Sequence, residues 1–379
     1  RMNRSFGPFC RVLLLLLAAA LFPAGAEAHA AASSAGRAED TAAQEIAEEE
    51  PDVKRIVLGH VGDSYEWHIA TAGGREWSLP LPVIVHSPSS GWHCFSAKRL
   101  RGGAEYEGLR IAADGDHAGK IVERQADGSD LRPLDLSITK TVAGLLLNSA
   151  LVVALVLGAA RWYRGRKPDA AAPRGVVGLF ETLVESLVDD LIEPCVGPSY
   201  RRFAPYLLTV FCFIFLNNLM GLIPFFPGGA NVTGNIAVAL VLAVATFLVV
   251  NLSGSRHYWK DIFWPDVPTW LKVPVPIIPL IELVGVFTKP FALMIRLFAN
   301  MLAGHAVILS LTCVVFVTVK MGAAVNASMT ALSVLFSIFM NCLELLVAFL
   351  QAYVFTMLSA VFIGLAQERG GEADAGAEK

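Results

Sequence analysis

Polar and apolar residues fall into blocks along this chain rather than being mixed. Thr141 to Ala160 carries no charge and predicts a spanning helix, because about 20 apolar residues cross a hydrocarbon core about 30 Å thick. Phe203 to Phe226 and Asn235 to Leu252 predict two further spans, joined by the turn Pro227-Gly228-Gly229-Ala230-Asn231. Val176 to Glu193 differs. Val176, Phe180, Leu183, Val184, Leu187 and Leu191 recur on one helical face, with Glu181, Glu185 and Asp189 on another. This predicts an amphipathic helix at the membrane surface, held by protein contacts rather than anionic lipid because its polar face is acidic. Two apolar segments remain, Val273 to Val319 and Met321 to Gln367. Each is roughly 50 residues, which as one helix would reach about 70 Å, more than twice the bilayer core. Each is therefore two spans with a buried turn or one tilted helix. The second segment holds no proline, which favours the tilted form, and Pro274, Pro276 and Pro279 suit the start of a helix in the first.

Ahead of the spans the pattern is different. Residues 1–28 have a basic leader (Arg1, Arg4, Arg11), a short apolar run from Val12 to Phe22, and small-x-small sites at Ala24-Gly25-Ala26 and Ala26-Glu27-Ala28. That is the layout of a secretory signal peptide, with a mitochondrial transit peptide as the alternative. Residues 29–50 are Ala-rich and acidic and predict a disordered linker. Residues 51–137 hold short apolar stretches, Arg55 to Leu58 and Leu81 to Val85, between turn signals at Gly73-Gly74, Gly102-Gly103, Asp114-Gly115 and Asp127-Gly128. They predict a small β-rich extracytoplasmic domain. Arg161, Arg164, Arg166 and Lys167 follow the first span directly and mark its end as cytoplasmic, in agreement with an exported N-terminal domain. Residues 138–370 form the membrane domain and 371–379 a disordered cytoplasmic tail. The expected fold is thus an all-α polytopic membrane protein. It has about five spanning helices, the last two long and tilted, one interfacial amphipathic helix, and a β-rich domain at the front.

Composition agrees: 55% of the residues are hydrophobic and 17% charged, which excludes a soluble enzyme, and a net charge of -3 gives no reason to expect nucleic acid. The six cysteines show no paired spacing, and His60, His68, His86, His93 and His117 match no metal motif. No cofactor or metal is called for.

The chemistry lies in the membrane. A permanent charge at the bilayer centre costs at least about 2.5–3.5 kcal/mol and persists where it pairs, meets water or works. Glu282, Lys289 and Arg296 are spaced by sevens and share a helix face, and Asn300 is one turn further on. Arg296 has no acidic residue at i±3 or i±4. His305 is half a turn round and faces away. Glu344 and Gln351 share a face of the last helix. Titratable groups, amides and one fixed cation are the parts of a proton path; an arginine paired with Glu344 or Glu282 as structural glue is the plain alternative.

Thr288 to His305, reading Thr-Lys-Pro-Phe-Ala-Leu-Met-Ile-Arg-Leu-Phe-Ala-Asn-Met-Leu-Ala-Gly-His, resembles the signature of subunit a of F-type ATP synthases. Phe215 to Pro224, Asn231 to Asn235 and Leu350 to Phe355 resemble three more blocks of that family, in order, while the N-terminal domain is outside the common pattern. The resemblance implies a stator subunit that loads and unloads protons on the carboxylate of a rotating c-ring through two half-channels. It would have no catalytic site of its own and would work beside peripheral stalk b subunits and membrane lipid. It places the essential arginine at Arg296, amides at Asn300 and Gln351, and a carboxylate at Glu282. It pairs His305 with Glu344, the two residue types exchanged as in mitochondrial members. An acidic residue often found at position 221 is here Gly221, so the inlet would use Asn217, Asn218 or water. Topology assigns His305 and Glu344 to the outer half-channel and Glu282 to the inner one, with the N-terminal domain outside the path. The expected location is the bacterial inner membrane, with the mitochondrial inner membrane as the alternative. A secondary transporter with an intramembrane anion or proton site is the competing class; it predicts an inverted repeat, and none is evident.

Overall fold

A computed structural model describes residues 62–72, 75–112, 117–125, 129–164, 173–223, 228–264 and 277–367. The predicted leader, linker and tail lie outside these residues, as do Arg55 to Leu58, His60, Pro274, Pro276 and the turns at Gly73-Gly74, Asp114-Gly115 and Asp127-Gly128.

The front of the chain is β-rich. Strands β1 (Glu66–Ala72) and β2 (Arg75–Pro80) form an antiparallel hairpin. Strands β3 (Pro82–Ser87), β4 (Gly91–Ser96), β5 (Leu109–Ile111), β6 (Ile121–Arg124), β7 (Asp130–Leu131) and β8 (Leu134–Asp135) make two antiparallel sheets, ordered β4-β3-β8 and β5-β6-β7. Alternation in β3 turns Val83 and Val85 inward, where they meet Tyr65, Phe95, Leu100, Leu109 and Ile121. Tyr65 closes this core. Its hydroxyl accepts from the Ile121 amide and donates to Asp135, and burial with the neighbouring carboxylate pushes the phenol far up.

Helix α1 (Lys140–Tyr163) follows directly. Thr139 caps it, its hydroxyl accepting from the Val142 amide at 3.4 Å. The domain is tied to this helix start, since Asp63 Oδ1 accepts from the Thr141 amide (3.0 Å) and the Ser64 carbonyl from the Lys140 amide (2.8 Å).

Helix α2 (Val176–Leu187) is the amphipathic segment and runs through a π-helical turn, Val188–Ile192, into the short helix α3 (Glu193–Val196). The π turn inserts one residue into the helical repeat and rotates the apolar face. Leu187, Leu191, Ile192 and Val196 are buried, while Val176, at the start of α2, which the sequence pattern puts on the packed face, is 67% exposed. Helix α4 (Tyr200–Leu222) then crosses towards the β domain. Helix α5 (Ile236–Ser253), capped by Asn235, returns, and α6 (Arg256–Phe263) is a short helix capped by Ser255.

The two long apolar segments are single helices. Helix α7 (Ile277–Thr318) has 42 residues and continues through Pro290; α8 (Ala323–Gln367) has 45. At 1.5 Å per residue both exceed 60 Å, about twice the hydrocarbon core, so neither stands upright within it. Among the described residues, five helices are long and apolar enough to cross a membrane.

The bundle core lies between α4, α5, α7 and α8. Phe211 and Phe215 of α4 pack on Phe349 of α8, and Leu293, Met294 and Leu297 of α7 join the same cluster. Polar links fix the register: Tyr206 meets Thr246 at 2.9 Å, and Thr246 meets Ser359 at 3.4 Å. At Gly364 helix α8 passes so close to α3 that an added Cβ would lie 2.1 Å from the Cys195 carbonyl oxygen.

Candidate functional site

Helix α7 has two chemically different faces. Glu282, Lys289, Arg296 and Asn300 all stand exposed along one of them, as their heptad spacing requires. Arg296 makes no hydrogen bond or ion pair among the described residues. Glu282 lies 14 residues earlier, about 21 Å along the helix, and Glu344 is turned elsewhere, so neither neutralises it. Lys289 leans its ammonium over the Phe362 ring of α8, 5.5 Å from the centroid. Glu282 sits at the α6 end of the bundle: burial, and after it the Glu282 charge, push the Tyr258 phenol up.

The other face of α7 carries His305 into the bundle. Its Nδ1 lies 2.6 Å from Oε1 of Glu344, a buried carboxylate on α8. The same nitrogen lies 3.1 Å from the Met301 carbonyl oxygen, and Nε2 lies 3.2 Å from the Gly221 carbonyl oxygen of α4. Glu344 Oε1 is off the line of the ring N–H and has no aligned hydrogen-bond partner, so the contact is an ion-pair approach rather than an aligned bond. All three neighbours of the ring are acceptors. Both ring nitrogens can donate only when the imidazole holds two protons; with one proton, a bare lone pair faces an oxygen. The proton count of the pair and its hydrogen bonding are therefore linked.

Gly304 makes this approach possible, since a Cβ there would come 2.9 Å from Glu344 Oε1. Gln351 lies two turns beyond Glu344 on α8 and is buried.

Asn217 and Asn218 of α4 have no exposed surface. Asn217 accepts from Asn148 of α1 at 2.9 Å and donates to Phe213; Asn218 accepts from Thr233 at 2.6 Å and donates to the Ala348 carbonyl at 3.1 Å. Their amides bind α1, α4, α8 and the α4–α5 loop together. Asn148, Thr233, Asn231 and Gly304 are site neighbours that the sequence reading does not assign. Asn148 had a signal, as a lone amide in an apolar span, and Asn231 and Thr233 lie in a quoted motif.

Five membrane-capable helices, an unpaired guanidinium on an outward face and a titratable pair behind it define a multi-pass membrane protein with a protonatable interior. The sequence of residues 146–364 matches the family described as ATP synthase A chain, and the chain belongs to that family. It is 47% identical over 242 residues to ATP synthase subunit a 2 of Chlorobaculum tepidum, covering 61% of this chain and 64% of that one. It is 45% identical over 245 residues to ATP synthase subunit a of Chlorobium phaeobacteroides, covering 63% and 68%. Against ATP synthase subunit a of Anaeromyxobacter dehalogenans identity is 34% over 333 residues, covering 83% and 80%. The aligned region is thus about two thirds of the first two relatives' length. Residues 56–136 match a separate family, described as Domain of unknown function (DUF8433).

Proposed function

We propose that this chain is the stator proton-channel subunit of a rotary ATP synthase. The observation that carries the reading is Arg296, a guanidinium with no hydrogen bond or ion pair among the described residues, on an exposed face of a long apolar helix and back to back with the His305–Glu344 pair. A guanidinium keeps its charge at any working pH. On an outward face it attracts a carboxylate arriving on a neighbouring c-ring, favours release of that group's proton, and bars direct proton passage along its own helix. Asn300, one turn on, shares this face. Peripheral stalk b subunits and lipid cover the remaining surface.

The His305–Glu344 pair serves the outer half-channel, near the end of α4 where the β domain sits. Glu282, at the α6 end, serves the inner one. Asn217, Asn218 and Gln351 wall the compartment between, with Lys289 at the margin of the inner path. The chain needs no catalytic site of its own, because the bonds made and broken in the membrane are those of protons to carboxylates and imidazole. The β domain and the first helix start lie outside the cytoplasm of a bacterial cell.

The test is Arg296→Ala in the assembled complex, reconstituted and driven by an imposed pH difference. Loss of coupled ATP synthesis with normal assembly is expected. Arg296→Lys should fail too, because an ammonium can lose its proton in a low-dielectric site and lacks the planar fork. Near wild-type coupled synthesis in the alanine variant would refute the proposal.

A further inference from the structure

The geometry points to a positioning role for the β domain in the outer proton path, exerted through Trp67; this rests on the reading of His305 and Glu344 as the titratable pair of that path. The sequence alone puts the domain outside the path, and it contributes no residue to the pair. Its docking is nevertheless specific. Trp67 is 3% exposed, and its indole N–H donates to the Gly228 carbonyl in the α4–α5 loop at 3.2 Å. The ring packs with Ala230 and Val232 of that loop, against Ala143 and Leu145 of α1 and Val238 of α5. A buried tryptophan with its N–H satisfied combines a large apolar contact with a directional one.

Two short routes lead from this contact to the two nitrogens of His305. On the first, Gly228 is followed by Gly229, whose amide donates to the Met220 carbonyl at 3.2 Å. The next residue, Gly221, is the acceptor for His305 Nε2. On the second, Ala230 is followed by Asn231, whose Nδ2 reaches the Met301 carbonyl at 3.5 Å, the same oxygen that accepts from His305 Nδ1. Gly228 and Ala230 are tightly packed. A Cβ on Gly228 would stand 2.4 Å from the Ile223 carbonyl oxygen, and one on Gly144 of α1 would stand 2.6 Å from the Ala230 Cβ. The domain is held at a second point by Asp63 and Ser64 on the start of α1. Trp67 is thus a clamp: while it is seated, both carbonyls that orient the imidazole stay in place.

Few charges compete for this ring. From α8 it faces Glu344. Helix α4 carries no Asp, Glu, Lys or Arg after Arg202, and α5 and residues 228–235 carry none. On α7 itself Glu282, Lys289 and Arg296 stand on the opposite face and Lys320 beyond the helix end, and α1 contributes Lys140 at its start and Arg161 at its last turn. A moved carbonyl therefore changes the proton balance of the pair with little other charge to mask it.

The test uses the whole complex in proteoliposomes, measuring ATP synthesis against the pH on the side bearing the β domain, for wild type, Trp67→Ala, Trp67→Phe and His305→Gln. Trp67→Ala is expected to lower the rate roughly 2- to 30-fold, the range for a residue acting through a packed network, and to displace the pH profile. Trp67→Phe, which keeps a ring and loses the N–H, should be displaced less, in the same direction. If Trp67→Ala does not assemble, Trp67→Phe decides alone: a displaced profile supports the clamp and a wild-type profile overturns it. A wild-type profile in an assembled Trp67→Ala complex, or a uniform loss of rate with the profile unmoved, also overturns it. His305→Gln separates the two ideas. Impaired His305→Gln with unaffected Trp67→Ala removes the clamp alone, whereas wild-type behaviour of His305→Gln removes the reading beneath it.

Discussion

His305 and Glu344 meet across α7 and α8 with 2.6 Å between Nδ1 and Oε1. The contact joins an imidazole with acceptors on every side to a carboxylate without an aligned donor. Single neutral substitutions, His305→Gln or Glu344→Gln, should slow proton flux while leaving the complex assembled. The exchanged double variant, His305→Glu with Glu344→His, should recover part of the flux, because the pair retains one acid and one base. Flux in the swap no better than in the worse single variant would count against a paired role.

Gly304 leaves space for that carboxylate. In Gly304→Ala the new methyl would sit 2.9 Å from Oε1 and 3.1 Å from Cδ of Glu344. The end of a flexible side chain can move at small cost to the fold, so the complex should assemble. The carboxylate would be pushed from the imidazole, and proton-driven synthesis should fall at least about tenfold, which is about 1.4 kcal/mol of barrier. Measuring synthesis together with complex yield checks both halves of the statement.

Gly364 is a packing glycine of another kind. The atom facing it is a backbone oxygen, that of Cys195, at 2.1 Å from an added Cβ. Neither helix can absorb this by a rotamer change, and overpacking costs typically about 1–3 kcal/mol or more. Gly364→Ala should lower the amount of folded protein in the membrane and its resistance to heat or detergent. A wild-type melting profile would show that α3 and α8 pack less closely than described.

The β domain has one ion pair with a clear pH signature. Arg101 forks onto Glu66, with Nε and Nη2 at 2.9 and 2.7 Å from the two carboxylate oxygens. The guanidinium hydrogen bond holds the Glu66 carboxyl below its ordinary value of 4.5. A depressed folded value gives stability that is present above the unfolded value and is lost as pH falls through the folded one. Because the pair is partly solvated, the effect is no more than about 1 kcal/mol. Comparing protease resistance of the domain at pH 7 and below pH 4 in wild type and Arg101→Gln should show a smaller acid loss in the variant.

The spans were legible because charge is excluded from them: the gap from Phe203 to Ser255 allows little besides helices in lipid, and the unbroken run after Met321 becomes one helix. The outward face of α7 was legible for the same reason, since a seven-residue spacing is a local property of one helix. Contacts between segments far apart in sequence were not. Nothing around Asn148 announces Asn217 as its partner, and nothing around Trp67 announces Gly228. The π turn at Val188–Ile192 was hidden too, because the helical spacing of apolar residues across it gives no sign of an extra residue.

The outward row of Glu282, Lys289, Arg296 and Asn300 also bears on how the protein is made. A newly inserted chain presents this row to hydrocarbon, at a cost of at least about 2.5–3.5 kcal/mol for the arginine alone. Lipid cannot return that energy, whereas a partner surface bearing a carboxylate can. On the proposed reading, the free subunit would be a poor tenant of the bilayer, and its lifetime would depend on how soon a carboxylate-bearing partner joins it. On the proposed reading, production in step with the partner would follow from one face of one helix.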